Sequence, residues 1–354
     1  MTNNKILCTM HRKYLAVWLA RDLQRPVPTF KNGFNMNTSL RRRALGALLL
    51  SLTGAAQAFP EKPVSIVVPF GAGSSVDINS RDLMQALATV IKQSIVVDNK
   101  PGAEGAIGAM AVINGPADGH MLMFTSSSIP VLEPVIRKNP QYDPIKQLTP
   151  VCTVGRTSNV MNLTGSNPMK SVADVIAAAK ATPDKLTFGY SSATTRLAGE
   201  LFQQATGTKF RSIPYKASVS AMTDVASGQI DMMFIDHVSA GAFYQSGKLR
   251  PLVVAGEKRV KALPEVPSAS ELRIPGYNIQ PWFGVYMSSK TPPALVQQWR
   301  DIMAQALATP TAVANMEKRG LDTFVICGEA MTKFQMDEIT LWRQVTKQAG
   351  IEPE

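Results

Sequence analysis

The sequence predicts an α/β protein folded as two lobes with a cleft between them. Three observations carry that prediction. Short apolar, β-branched runs alternate with amphipathic stretches. The alternation comes in two sets, the second starting near residue 160, and the chain ends in helical patterns without strands of their own. A length of 354 residues is enough for two ordinary domains with real cores.

In the first set, VSIVV (64–68) is a run of the buried-strand kind. After a glycine turn, Leu83, Met84, Leu87, Val90 and Ile91 fall on one helical face. SIVVD (94–98) reads as a strand, GAIGAMAVI (105–113) as a small-residue helix and HMLMFT (120–125) as a strand. This β-α-β-α-β order argues for a parallel sheet covered on both faces. In the second set, SVADVIAAAKA (171–181) opens on Ser171 with Asp174 three residues on, a capping box. LTFGY (186–190) is a strand, and TTRLAGELFQQATG (194–207) is a helix closed by Gly207. FRSIPY (210–215), a helix near 218–227, IDMMFID (230–236) and LRPLVVA (249–255) continue the pattern. A Pro-rich stretch (263–277) leads to WFGVYMS (282–288), and helical patterns near 293–308, 311–319 and 330–348 finish the chain. A tail without strands has to pack on the first lobe, which makes the second lobe an insertion reached by two crossovers. The expected division is 59–159 and 254–354 for the first lobe and 160–253 for the second.

Residues 1–58 read as a leader. From Met36, an alternative start, come a basic cluster at Arg41–Arg43, an apolar run from Ala44 to about Leu52, and the triplet Ala56-Gln57-Ala58. That is the grammar of a secretory signal, with cleavage expected after Ala58. The apolar run is too short for a bilayer span of ~20 residues. The leader also holds nine of the 37 Lys and Arg residues and one acid, Asp22, so the rest of the chain has 28 basic and 25 acidic residues, a net of +3. The formal +11 of the whole chain is therefore no argument for a nucleic-acid partner.

Cysteine and histidine are scarce. Cys152 and Cys327 lie 175 positions apart without a C-x-x-C, and read as two small buried apolar residues. A disulfide is permitted in an oxidising compartment. Spaced zinc ligands are absent, and no metal or cofactor is expected. Asp236, His237 and a loop serine could be written as a triad, but no G-x-S-x-G elbow supports it, and adjacent strand residues point to opposite faces.

The loops say more. In VVPFGAGSSVD (67–77), Gly71 and Gly73 bare the backbone N–H groups, and Ser74 or Ser75 can cap the following helix. First-turn N–H groups and the helix dipole favour an anion there. Asp77 sits at the capping-box spacing and reads as a cap rather than a base. A dinucleotide fingerprint fails because Val76 stands where the third glycine belongs, and a P-loop fails for want of G-K-[ST]. Thr125, Ser126, Ser127 and Ser128 follow one strand, and Ser191, Ser192, Ala193, Thr194, Thr195 and Arg196 follow another. Taken singly, each loop is an N-cap; three such turns split between two lobes describe a site for carboxylate oxygens.

FPEKPVSIVVPFGAGSSVDINSR, VVDNKPGAEGAIGAMAV, PADGHMLMFTSSS, PYKASVSAMTDVASGQIDMMF and LPEVPSASELRIPGY, in that order, resemble the Bug or TctC-type extracytoplasmic solute receptors over about residues 59–351. The resemblance implies a type II periplasmic binding-protein fold, two lobes with mixed sheets closing like a Venus flytrap. It implies capture of a small carboxylate by backbone amides and hydroxyls. Delivery would be to the membrane subunits of a tripartite tricarboxylate transporter, or to a sensor protein. It implies a periplasmic location, a monomer and no catalysis; the alternative is a secreted enzyme using the same cleft. Carried over by position, the site would comprise Phe70, Gly71, Ala72, Gly73, Ser74 and Ser75, then Thr125 to Ser128 and Ser191 to Thr195, with Tyr215, Lys216 and Asp236. This chain departs from the family pattern at Gly71-Ala72, at Ala217 after Pro214-Tyr215-Lys216, and at Ile235, where the family's Asp falls. Arg196 replaces a His or Ser and is expected to pair with a ligand carboxylate.

Overall fold

The computed structural model of the protein describes residues 59–353, so the leader and its cleavage site lie outside the described residues. In chain order the main elements are β1 (Val64–Val68), α1 (Ser75–Leu87), β2 (Ile95–Asn99), α2 (Ala106–Ile113) and β3 (Met121–Ser126). A π-helical turn, Ser128–Leu132, and two one-turn helices, α3 (Glu133–Ile136) and α4 (Pro144–Gln147), lead to β4 (Leu148–Arg156) and β5 (Asn159–Thr164). Then come α5 (Val172–Ala181), β6 (Thr187–Tyr190), α6 (Ala193–Thr206), β7 (Arg211–Pro214), α7 (Ser218–Ser227), β8 (Met232–Asp236), α8 (His237–Gln245) and β9 (Leu249–Val254). β10 (Trp282–Ser288), α9 (Pro293–Leu307), α10 (Pro310–Arg319), β11 (Asp322–Thr323) and α11 (Glu329–Gln348) complete the chain.

The strands form two mixed sheets, ordered β11-β4-β10-β3-β1-β2 and β7-β6-β8-β5-β9. Parallel pairing is confined to β1, β2 and β3 in the first sheet and to β6, β7 and β8 in the second. β1, β2 and β3 pair in parallel, as their β-α-β-α-β order argues, and β10 returns beside β3 in the antiparallel sense and brings β4 with it, which makes the sheet mixed. The chain passes from the first sheet to the second at residues 157–158 and back over residues 255–281.

β4 and β5 are not evident in the sequence. β4 contains Pro150, which cannot donate to a ladder; its partner β10 shifts register between Val285 and Tyr286, opposite that proline. β5 looks polar, yet Asn162 is fully buried. Its amide donates to the carbonyls of Val160, Met233 and Ile235, and its oxygen accepts from Tyr244 Oη.

The reading of the cysteines as two unpaired apolar residues is corrected. Cys152 and Cys327 form a disulfide between β4 and the segment that enters α11. Cys152 pairs with Cys327 as an antiparallel bridge, so folding brings the thiols together although 175 residues separate them.

Apolar residues of β1, β3 and β10 fill the first lobe. Trp299 of α9 is fully buried and donates its indole N–H to the Gly119 carbonyl at 2.7 Å. In the second lobe Phe188, Phe202 and Phe234 pack with Tyr277 of the return crossover at ring distances of 5.3–6.3 Å. These cores hold still the carboxyl ends of the parallel strands, where the site lies.

Candidate ligand-binding cleft

Four strand-to-helix turns meet between the sheets: β1 to α1, β3 to the π-helical turn, β6 to α6 and β8 to α8. They enclose a cavity of about 410 Å³, its open mouth included, at the carboxyl ends of parallel strands.

The first turn is fixed by side-chain capping. Ser74 Oγ accepts from Asp77 N at 3.3 Å, while Asp77 accepts from Gly73 N at 3.0 Å and from Arg81 at 2.9 Å. Burial pushes the Asp77 carboxyl up, but Arg81, the Gly73 amide and Asn99 outweigh it and hold the group below its ordinary value. Asp77 thus serves the loop as a cap. Gly73 has φ +79°, a conformation that favours glycine. A Cβ on Gly71 would stand 2.8 Å from Ala217 Cβ, so this loop touches the start of α7 in the second lobe.

The β6–α6 turn is a reciprocal capping box. Ser192 Oγ accepts from Thr195 N at 3.3 Å, and Thr195 Oγ1 accepts from Ser192 N at 3.1 Å. Across the cleft, Ala193 N donates to Ser128 Oγ at 3.0 Å. At the β8–α8 turn, Asp236 caps α8 by accepting from Ser239 N at 3.0 Å and Ser239 Oγ at 3.1 Å. Ser75 of the first lobe reaches the same group, its Oγ donating to Asp236 at 2.8 Å and its N–H to Ser239 Oγ at 2.8 Å.

Of the residues expected from sequence, Phe70, Ser74, Ser75, Ser126, Ser191, Ser192, Thr194, Thr195 and Asp236 line the cavity. Ser128 and Ala193 are fully buried, joined by their hydrogen bond, and do not line the cavity. Gly71, Ala72 and Gly73, in the turn before Ser74, and the buried Thr125 and Ser127 do not line the cavity. Tyr215 points elsewhere: its hydroxyl donates to Asp224 at 2.7 Å, and burial followed by that hydrogen bond pushes its pKa up to about 12. Lys216 is exposed. The Arg196 guanidinium lies 5.9 Å from the Tyr190 ring centroid, within electrostatic reach of Glu133, and is not in the cavity wall.

Asn159, Ser218, Ser239, Val76, Ile235, Pro281 and Phe283 also line the cavity and were not among the site residues expected from the sequence. Ser218 could have been found as a hydroxyl at the start of the helix expected near 218–227; α8, which holds Ser239, was not expected from the sequence. The triad is not assembled. His237 Nε2 meets the Arg319 carbonyl at 2.8 Å and Nδ1 meets Thr157 Oγ1 at 3.3 Å, away from the cavity. Among the described residues no group of three or more His, Cys, Asp or Glu is placed to hold a metal ion.

The sequence pattern of the tripartite tricarboxylate transporter family receptor, TctC, matches residues 80–351. Protein BugT of Bordetella pertussis is 30% identical over 298 residues, covering 83% of this chain and 91% of that protein. Among solved structures, Rpa4515 of R. palustris with adipate is 31% identical, with a TM-score of 0.79 over 84% of this chain and 100% of the other. The periplasmic binding protein BugD is 27% identical, with a TM-score of 0.78 over 84% and 100% of the two chains. The chain belongs to the TctC family of tripartite tricarboxylate transporter receptors, periplasmic solute-binding proteins of two-lobed α/β fold.

Proposed function

We propose that the protein is an exported receptor that captures one small carboxylate between a lobe formed by residues 59–159 and 254–354 and a lobe formed by residues 160–253. Backbone amides and hydroxyls of the four turns hold the ligand, and hinge motion at the two crossovers closes the lobes on it. The observation that carries this reading is the convergence of the α1, α6 and α8 N-termini, with the hydroxyls of Ser74, Ser75, Ser126, Ser192, Thr194 and Thr195, on one cavity. Such termini favour anions without a cationic side chain. The adipate in the related R. palustris protein supports a carboxylate as the anion. The carboxylate of the wall, Asp236, is engaged as the N-cap of α8, which favours a receptor over a secreted enzyme.

In this reading the leader directs the chain to the periplasm with cleavage after Ala58, and the receptor acts as a monomer. It serves the membrane subunits of a tripartite tricarboxylate transporter or a sensor, with no nucleic-acid partner. A thermal-shift screen of residues 59–354 against small carboxylates tests it. A ligand at a hundredfold excess over Kd should stabilise by about 2.7 kcal/mol. Stabilisation by nucleotides and by no carboxylate would overturn it.

A further inference from the structure

Among the described residues the cavity wall contains a single ionisable side chain, Asp236. Its carboxylate already accepts hydrogen bonds from Ser75 Oγ, Ser239 Oγ and Ser239 N. The N-termini of α1 and α8, two of the anion-favouring positions, are thus engaged by a carboxylate of the chain itself. A second carboxylate brought to that end of the cavity would meet a like charge with no cation in the wall to screen it. At the α6 end the wall is neutral, formed by hydroxyls of Ser126, Ser191, Ser192, Thr194 and Thr195.

The two ends therefore ask for different chemistry. The α6 end suits the ligand carboxylate. At the other end Oδ1 of Asp236 accepts only from Ser239 N, while Oδ2 accepts from two hydroxyls. A carboxylate offers about four acceptor sites, so Oδ1 can take one further donor.

Resting on the carboxylate-receptor reading above, we propose that Asp236 sets the specificity of the cleft for monocarboxylates whose far end is a hydrogen-bond donor, and against diacids. The donor is a hydroxyl or an ammonium group. Asp236 completes the pole of the cleft that a second ligand carboxylate would otherwise occupy.

Calorimetric titration of the purified protein with matched C4, C5 and C6 series tests this. Each series contains the diacid, the ω-hydroxy acid, the ω-amino acid and the plain monoacid of one chain length. A donor-terminated acid is expected to bind at least tenfold more tightly than its diacid, and the hydroxy and amino members identify which donor is taken. In Asp236→Asn, which keeps a good N-cap residue for α8, that preference should shrink severalfold or reverse. A diacid that binds wild type as tightly as its donor-terminated partners overturns the proposal while leaving the receptor reading intact. So does a preference unchanged in Asp236→Asn. Failure of every carboxylate to bind overturns both.

Discussion

Gly71 and Ala217 face each other across the cleft, and each explains the other. The methyl of Ala217 fills space that a Cβ at position 71 would need, leaving 2.8 Å between two carbons. Gly71→Ala should therefore hold the lobes apart and weaken ligand binding by tenfold or more. Adding Ala217→Gly removes the opposing methyl and should restore affinity. Titration of the wild type, both single variants and the double variant gives the coupling directly; independent effects would refute it. Glu133 makes a second residue-scale case. Burial, and then the neighbouring Glu104 charge, push it from 4.5 up to about 7 against the pull of Arg137 and Arg196. The folded state thus keeps a proton that the unfolded chain releases near its ordinary value. Stability from this group is full below about pH 4.5, declines as pH rises toward 7, and is flat above that. Urea unfolding at pH 5 and pH 8 should show a smaller difference in Glu133→Gln than in wild type. An identical difference would show that the group does not titrate in this way.

At the scale of elements, helix ends do the positioning. α10 ends at Gly320, with φ +64°, and the Arg319 carbonyl beside it receives His237 from the first turn of α8. Arg319 also reaches back through its side chain to Asp82 of α1 at 2.8 Å. One helix terminus thus touches both α1 and α8, whose N-termini form one end of the cavity. Gly320→Ala should cost roughly 1–2 kcal/mol for the left-handed backbone alone. Its Cβ would also sit 3.0 Å from Ala262 Cβ and 3.1 Å from His237 Nε2. Gly207 closes α6 at φ +63° with open space around it. Gly207→Ala is therefore the control for backbone strain. Urea unfolding should find Gly320→Ala the more destabilising; equal losses would mean that the His237 contact carries no weight.

At the scale of the whole molecule, the disulfide joins β4, the last strand before the chain leaves the first sheet, to the segment after β11, the last strand of that sheet. It encloses the entire second lobe in one covalent loop. Such a closure restricts the unfolded chain, and removing it typically costs about 2–4 kcal/mol. Cys152→Ala with Cys327→Ala, or reduction by a strong thiol, should lower stability by that order in urea melts while leaving ligand affinity within about twofold. A large change in Kd would place the staple in the hinge mechanism instead.

Much of this protein was legible locally. The strand–helix alternation, the capping box at Ser171, and the loops ending in Ser74 and Ser126 all follow from interactions within a few residues. Short-range hydrogen bonds leave short-range patterns. What local patterns could not decide were choices made by distant partners. Asn162 is a buried strand residue because three backbone carbonyls and Tyr244 satisfy its amide. The pairing of Cys152 with Cys327 depends on strands brought together by the return of β10. Asn159 and Phe283 reach the cavity from the starts of β5 and β10, and Pro281 from the crossover before β10. The chain by itself determined which turns offer amides and hydroxyls to an anion. Only the tertiary structure decided that Asp236 is engaged by the first of those turns, because its hydrogen bond with Ser75 joins residues 161 apart in sequence.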